Sequence, residues 1–289
     1  MKVFYTDHFV LPLPDGHRFP MRKYSMLREA VQAFAPQTLE EAPAARDDEL
    51  LLAHDAAYVA RMSNGTLTAN EVRQIGFPWS PGMAERARRS AGATIAAARA
   101  SLRDRCGINL AGGTHHAFAD HGEGFCCYND AAVAARVLQR DCTVGRVLIC
   151  DLDVHQGNGT ARIFAGDASV FTFSMHGERN YPVRKEQSSL DVELPDGCTD
   201  APYLAALRDH LPRIVRSFEP EAIIYLAGAD PFEGDRLGRL KLSKAGLAER
   251  DRYVLTFARE WAIPVTITMA GGYAHDVADI VDIHFNTVR

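Results

Sequence analysis

Short apolar runs rich in β-branched residues alternate along the chain with longer segments of helical periodicity. Val147-Leu148-Ile149-Cys150, Val170-Phe171-Thr172-Phe173, Ala222-Ile223-Ile224-Tyr225-Leu226 and Val265-Thr266-Ile267-Thr268 are too short for helices of the usual length and predict buried strands. Between them the spacing predicts helices over 129–139, 157–164, 202–218 and 243–261, with Asn129 and Ser243 as N-caps and Pro202 in a first turn. The N-terminal third reads as mostly helical, over about 22–34, 47–62 and 82–104. Strand, helix, strand in this order predicts an α/β fold: a central, mostly parallel sheet with helices on both faces. No repeat and no linker-like stretch divides the chain, so 1–289 reads as one domain.

Composition narrows the functional classes. The chain is 47% hydrophobic and 24% charged, with 32 Lys+Arg against 37 Asp+Glu and a net charge of −5. That balance argues against a dedicated nucleic-acid binder and leaves a protein substrate open. No apolar run reaches the ~18 residues of a membrane span, and Asp7 and His8 come too early for a secretory leader. Six cysteines, at 106, 126, 127, 142, 150 and 198, show no C-x-x-C spacing. Reduced thiols in the cytoplasm are expected. Six arginines between 86 and 105 read as the solvated face of a helix rather than a docking surface for acidic partners.

The chemistry concentrates after the strands. Asp151-Leu152-Asp153-Val154-His155 follows the first run directly, and alternation sends 151, 153 and 155 to one side. Gly157 and Gly159 then permit a tight turn. Asp230 lies just past the Ala222–Leu226 run, and ligands of parallel sheets bind at the carboxyl ends of strands. Asp153, His155 and Asp230 make a nitrogen-plus-two-oxygen set that suits zinc, with Fe(II) or Co(II) nearly as well matched. His115 and His116, in a Gly-rich loop, are candidates for acid/base work. Tyr273, after two glycines, is placed to donate to a developing oxyanion. There is no phosphate-binding G-x-x-x-x-G-K-[ST] and no G-x-S-x-G. Gly228 stands where a second metal would want another acid, which favours one ion over an arginase-like pair.

Taken together, GGTHHAF, GEGFCCYND, DLDVHQGNGTA, AGADPFEGDRLG and AGGY, in that order over residues 112–273, resemble the histone deacetylase superfamily. LPLPDGHRFPMRKY and IGFPWSP look like its class IV branch and bacterial relatives. The resemblance implies an arginase-like α/β fold and metal-dependent hydrolysis of an acyl amide, usually N-ε-acyl-lysine. It implies that Asp153, His155 and Asp230 are zinc ligands, His116 the acid/base histidine and Tyr273 the carbonyl-polarising tyrosine. His115 resembles the companion histidine, supported by Asp151. A structural potassium is implied at Asp151, Asp153, His155, Ser174 and Met175. Phe125, with Gly124 and Gly272, resembles the substrate tunnel, and Arg22 an internal-channel arginine. Asn158 departs from the Asp of many members, which predicts a less basic His116. The segment from Ser174 to Pro182 lacks a Phe-rich rim.

The resulting expectation is a cytoplasmic protein-lysine deacylase acting on an acyl-lysine protein or peptide, without nucleic-acid or membrane partners. A deacetylase of acylated polyamines or another small amide is the alternative in the same chemistry. A catalytically weak acyl-lysine-binding module is the alternative of a different class. Acyl-chain length and oligomeric state stay open, since loops 12–24, 74–82 and 176–192 set the depth of the tunnel.

Overall fold

The four apolar runs become neighbouring strands of one eight-stranded sheet. The strands are β1 (Lys2–Tyr5), β2 (Leu39–Glu41), β3 (Cys106–Asn109), β4 (Val147–Asp151), β5 (Val170–Gly177), β6 (Leu190–Leu194), β7 (Ala222–Leu226) and β8 (Val265–Thr268). Their spatial order is β2-β1-β3-β8-β7-β4-β5-β6, and every pairing is parallel. This computed structural model describes all residues except Pro12 and Asp15, so those two positions of the 12–24 loop lie outside the described residues.

The helices are α1 (Arg22–Phe34), α2 (Asp47–Leu50), α3 (Ala56–Asn64), α4 (Ala69–Ile75), α5 (Pro81–Asp104), α6 (Asp130–Cys142), α7 (Asn158–Ile163), α8 (Asp200–Phe218), α9 (Lys244–Glu260) and α10 (Val277–Val288). Strand alternation divides the core between two faces. Leu148 and Cys150 of β4 join Leu27 of α1, Leu207 of α8, Val254 of α9 and Ile283 of α10. Val147 and Ile149 point the other way, into Leu50, Val59, Ile95 and Val133 of α2, α3, α5 and α6. Helices on both faces of a parallel sheet are thus borne out. Asn129 caps α6 by accepting from Ala132 N, and Ser243 caps α9 by accepting from Gly246 N, as their positions predict.

Two expectations change. The predicted helix over 47–62 is two helices, α2 and α3, broken by a turn at 51–54. The arginines of α5 do not form a free solvated face; most hold neighbouring segments. Arg86 is buried, donates to Phe9 O at 3.2 Å and lies 4.5 Å over the Tyr24 ring. Arg88 and Arg89 donate to Ala45 O and Ala42 O, while Arg99 bridges Glu49 and Asp141. They tie the N-terminal third to α5. All six cysteines are free.

The break between α2 and α3 sets up a pH dependence. It buries His54, whose Nε2 accepts the N–H of Asn129 at 2.9 Å, next to the cap of α6. Burial pulls this imidazole down to about 4, so it folds neutral. An unfolded histidine takes up its proton near pH 6.5. Stability from this group is therefore complete above that pH and is lost as the pH falls toward 4, by about 3 kcal/mol in all. Urea midpoints measured from pH 7 to 4 are expected to fall less steeply in His54→Gln than in the unaltered chain.

Candidate active site

At the carboxyl ends of β4, β7 and β8, three buried side chains meet. One ligand atom from each of Asp153, His155 and Asp230 lies within 4.8 Å of the other two. His155 Nδ1 is 2.9 Å from Asp153 Oδ1 and 3.2 Å from Asp230 Oδ2. Backbone N–H groups aim the carboxylates: Gly271 N donates to Asp153 Oδ2 at 2.8 Å and Val154 N to Asp230 Oδ1 at 2.9 Å. Asp230 Oδ2 is buried and, among the described residues, has no hydrogen-bond donor. Burial and the neighbouring Asp153 push the Asp230 carboxyl up to about 7. Burial opposes the charge of His155, but the adjoining Asp153 and Asp230 carboxylates raise it to about 10. One imidazole, two carboxylates and an orphaned oxygen fit a divalent ion of the zinc type.

The surrounding backbone keeps this space clear. A Cβ on Gly271 would stand 2.0 Å from Asp230 Oδ2 and 2.6 Å from Asp153 Oδ2. One on Gly228 would stand 2.7 Å from Asp153 Oδ2, which leaves no room for a further acid there. The two ligand loops are tied from beneath by the fully buried Arg250, which donates to Gly228 O at 2.7 Å and Leu152 O at 3.2 Å. Asp251 balances that guanidinium at 2.8 Å.

His115 and His116 lie beside the cluster, ring centroids 4.2 Å apart, in different surroundings. His115 Nδ1 faces Asp151 Oδ2 at 2.6 Å. Burial disfavours its charge, but the Asp151 and Asp153 carboxylates prevail and raise it to about 9. His116 Nδ1 faces the Asn158 amide oxygen at 2.7 Å. Burial, then the charges of His115 and His155, hold His116 well below the usual range, while the Asn158 hydrogen bond acts in the opposite direction. The Tyr273 ring lies 6.4 Å from that of His155, and its main-chain N–H donates to Asp235 at 2.6 Å. Burial, together with Asp230 and Asp153, keeps the phenol protonated.

The profile of the Histone deacetylase domain matches residues 17–288. The chain belongs to the histone deacetylase family. It is 42% identical to an uncharacterised protein of Picosynechococcus sp., over 98% of this chain and 95% of that one. It is 34% identical to Histone deacetylase 2 of Arabidopsis thaliana, over 81% of this chain and 62% of the plant protein. Histone deacetylase 8 of Xenopus tropicalis matches at 28% identity, over 87% of this chain and 73% of that protein. Among solved structures the HDA15 HD domain shares the fold, with a TM-score of 0.83 at 23% identity over 100% of this chain and 90% of that one. Family membership makes the chain one of a group of hydrolases.

Within this family fold, a cavity leads from the surface to the cluster. Its mouth is lined by Phe125, Tyr181 and segments of the 12–24, 74–82 and 176–192 loops. Phe125 adopts a left-handed backbone (φ 67°), held by hydrogen bonds of Gly124 N and Phe125 N to Gln74 O and Ile75 O. A Cβ on Gly124 would sit 2.8 Å from His116 Cδ2, so that glycine lets the backbone press against the ring. Gly272 is buried, and a Cβ there would meet Ile280 at 2.8 Å. Ser174 and Met175 are buried on β5, with Ser174 in register beside Asp151.

Arg22 is exposed, and the buried cation is its neighbour Lys23. Lys23 Nζ donates to Ala270 O at 3.3 Å and lies 5.3–5.6 Å from the ring centres of Phe19, Tyr24 and Tyr273. Helical register separates the two: α1 begins at Arg22, and it is Lys23 that the start of the helix turns inward. Sequence reading also passed over Tyr181, whose ring stands edge-on to His116 with centroids 4.9 Å apart. Its hydrophobic neighbours are few, so no periodicity marks it.

The closeness of Gly271 to both carboxylates gives a direct test. Gly271→Ala is expected to cost about 2 kcal/mol through overpacking against fixed groups. Differential scanning calorimetry should read this as a fall in melting midpoint of about 3 °C.

Proposed function

We propose that residues 1–289 form one catalytic domain, a class IV-type metal-dependent amidohydrolase that removes acyl groups from N-ε-acyl-lysine in proteins or peptides. The observation that carries this reading is the buried Asp153–His155–Asp230 cluster with its undonated carboxylate oxygen, opening on the same cavity as His116 and Tyr273. Zinc is the ion assigned to the cluster, and the donor set also accepts Fe(II) or Co(II). Bound there, such an ion lowers the pKa of a water molecule and polarises a carbonyl oxygen. We assign a structural potassium to Asp151, Asp153, His155, Ser174 and Met175, where carboxylate, hydroxyl and main-chain oxygens offer the donors a hard cation takes.

The chain's own groups divide the remaining work. His116, neutral in the folded protein, holds its Nδ1 toward Asn158 and leaves Nε2 free to take a proton from the attacking water and return it to the leaving amine. His115, paired with Asp151, keeps positive charge beside that transfer. Tyr273 donates its phenol hydrogen as negative charge gathers on the acyl oxygen. Phe125 and Tyr181, both at the mouth, flank the methylenes of the acylated side chain.

The charge of the mouth supports an acyl-lysine over a polyamine. Arg18, Arg73, Arg179 and Arg239 line it, the last two paired with Glu178 and Asp196, and among the described residues no carboxylate lines the mouth itself. A polyamine carries cations along its length and is repelled there, whereas an acyl-lysine brings an uncharged amide. A fluorogenic acetyl-lysine peptide is therefore expected to turn over, to lose turnover to a chelator and to regain it with zinc. N-acetylspermidine should be hydrolysed far more slowly. Peptide binding without turnover would replace the enzyme by a reader module. Within the enzyme reading, Tyr273→Phe is expected to keep its metal by mass spectrometry and lose about 10²–10³ in kcat. Near-normal kcat would remove the phenol from the mechanism.

A further inference from the structure

An amide beside a catalytic histidine poses a problem that a carboxylate does not. Both oxygens of an aspartate accept hydrogen bonds, so either one fixes an Nδ1–H tautomer on the ring. Asn158 has one accepting end and one donating end. With Oδ1 toward His116, the proton sits on Nδ1 and the lone pair on Nε2 is free. With Nδ2 toward His116, the ring must carry its proton on Nε2, where a base needs the lone pair. Something must therefore decide which way the amide points.

Glu123 is in position to decide it. Its Oε1 is 2.6 Å from Asn158 Nδ2, on the side of the amide away from His116. An ionised carboxylate only accepts, so it pairs with the NH₂ end and opposes the oxygen end. Turning the amide over would set Asn158 Oδ1 against the carboxylate and break both hydrogen bonds at once. Tyr181 flanks the arrangement, with its ring edge-on to His116 and centroids 4.9 Å apart. Glu123 comes from the GEGFCCYND segment, just before the Gly124 that presses on the same ring.

We infer that Glu123 is a positioning residue that orients the Asn158 amide and, through it, keeps the His116 proton on Nδ1. The inference rests on the reading of His116 as the proton-transfer group, but the tautomer is observable whether or not any substrate turns over. Glu123 thus supplies, one link further out, the carboxylate that Asn158 does not.

The test uses the zinc-loaded full chain and two readouts. Histidine ¹⁵N–¹H NMR reports which His116 nitrogen is protonated, and acetyl-lysine peptide kinetics separate kcat from KM. Glu123→Ala is expected to give mixed or Nε2–H tautomers and a kcat loss of about 10–100-fold, with KM within twofold. Asn158→Asp alone should also be impaired, because it sets two carboxylates in contact. Asn158→Asp combined with Glu123→Gln should recover both kcat and the Nδ1–H signal, since the glutamine NH₂ then donates to the new carboxylate. The inference is overturned if Glu123→Ala keeps pure Nδ1–H with kcat within twofold, or if the double variant is no better than Asn158→Asp. A wild-type chain with the expected tautomer and no turnover would refute the deacylase reading and leave this one standing.

Discussion

Two carboxylates buried side by side, Asp153 and Asp230, are the constraint around which the rest is arranged. Neither is in water, and each raises the cost of charge on the other. The fold responds with directed backbone N–H groups from Val154, His155 and Gly271, with His155 between the acids, and with Arg250 beneath both loops. These donors leave Asp230 Oδ2 unmatched. A buried polar atom without a partner is uncommon in folded proteins and calls for an explanation; the cation proposed above would supply one. The sheet delivers the groups because parallel strands end on the same edge.

The paired histidines show how identical side chains acquire different charge states. They are adjacent in sequence and nearly stacked, yet one faces a carboxylate and the other an amide. The first is held charged and the second neutral, an asymmetry of the kind that separates acid from base in one site. Burial alone would have lowered both.

Half of the sheet was legible in the sequence, and it is the contiguous half. β8, β7, β4 and β5 lie side by side, covered on both faces, and the runs that mark them, 147–150, 170–173, 222–226 and 265–268, carry no charged residue. β6 and β2 are edges, where Leu190-Asp191-Val192-Glu193 alternates with polar residues and Leu39-Glu40-Glu41 carries a single apolar one. β3 includes a glycine, and β1 is four residues long. The ligand cluster was legible because acids and a histidine directly after an apolar strand break an expected pattern. Lys23, Glu123 and Tyr181 were not, because their neighbours are distant in sequence: Ala270, Asn158 and His116. The arginines of α5 misled for the same reason, since partners such as Phe9, Ala42 and Ala45 come from the preceding segments.

The position of β8 has a consequence for the order of assembly. It is the last strand along the chain, yet it is seated in the middle of the sheet, with β3 on one side and β7 on the other. Before β8 is synthesised, β2-β1-β3 and β7-β4-β5-β6 share no strand pairing, and the facing edges of β3 and β7 have no partner. Only when residues 265–268 leave the ribosome can a keystone strand join them. Gly271 and Tyr273 follow it within five residues, so the sheet and the reactive centre are completed in the same late event.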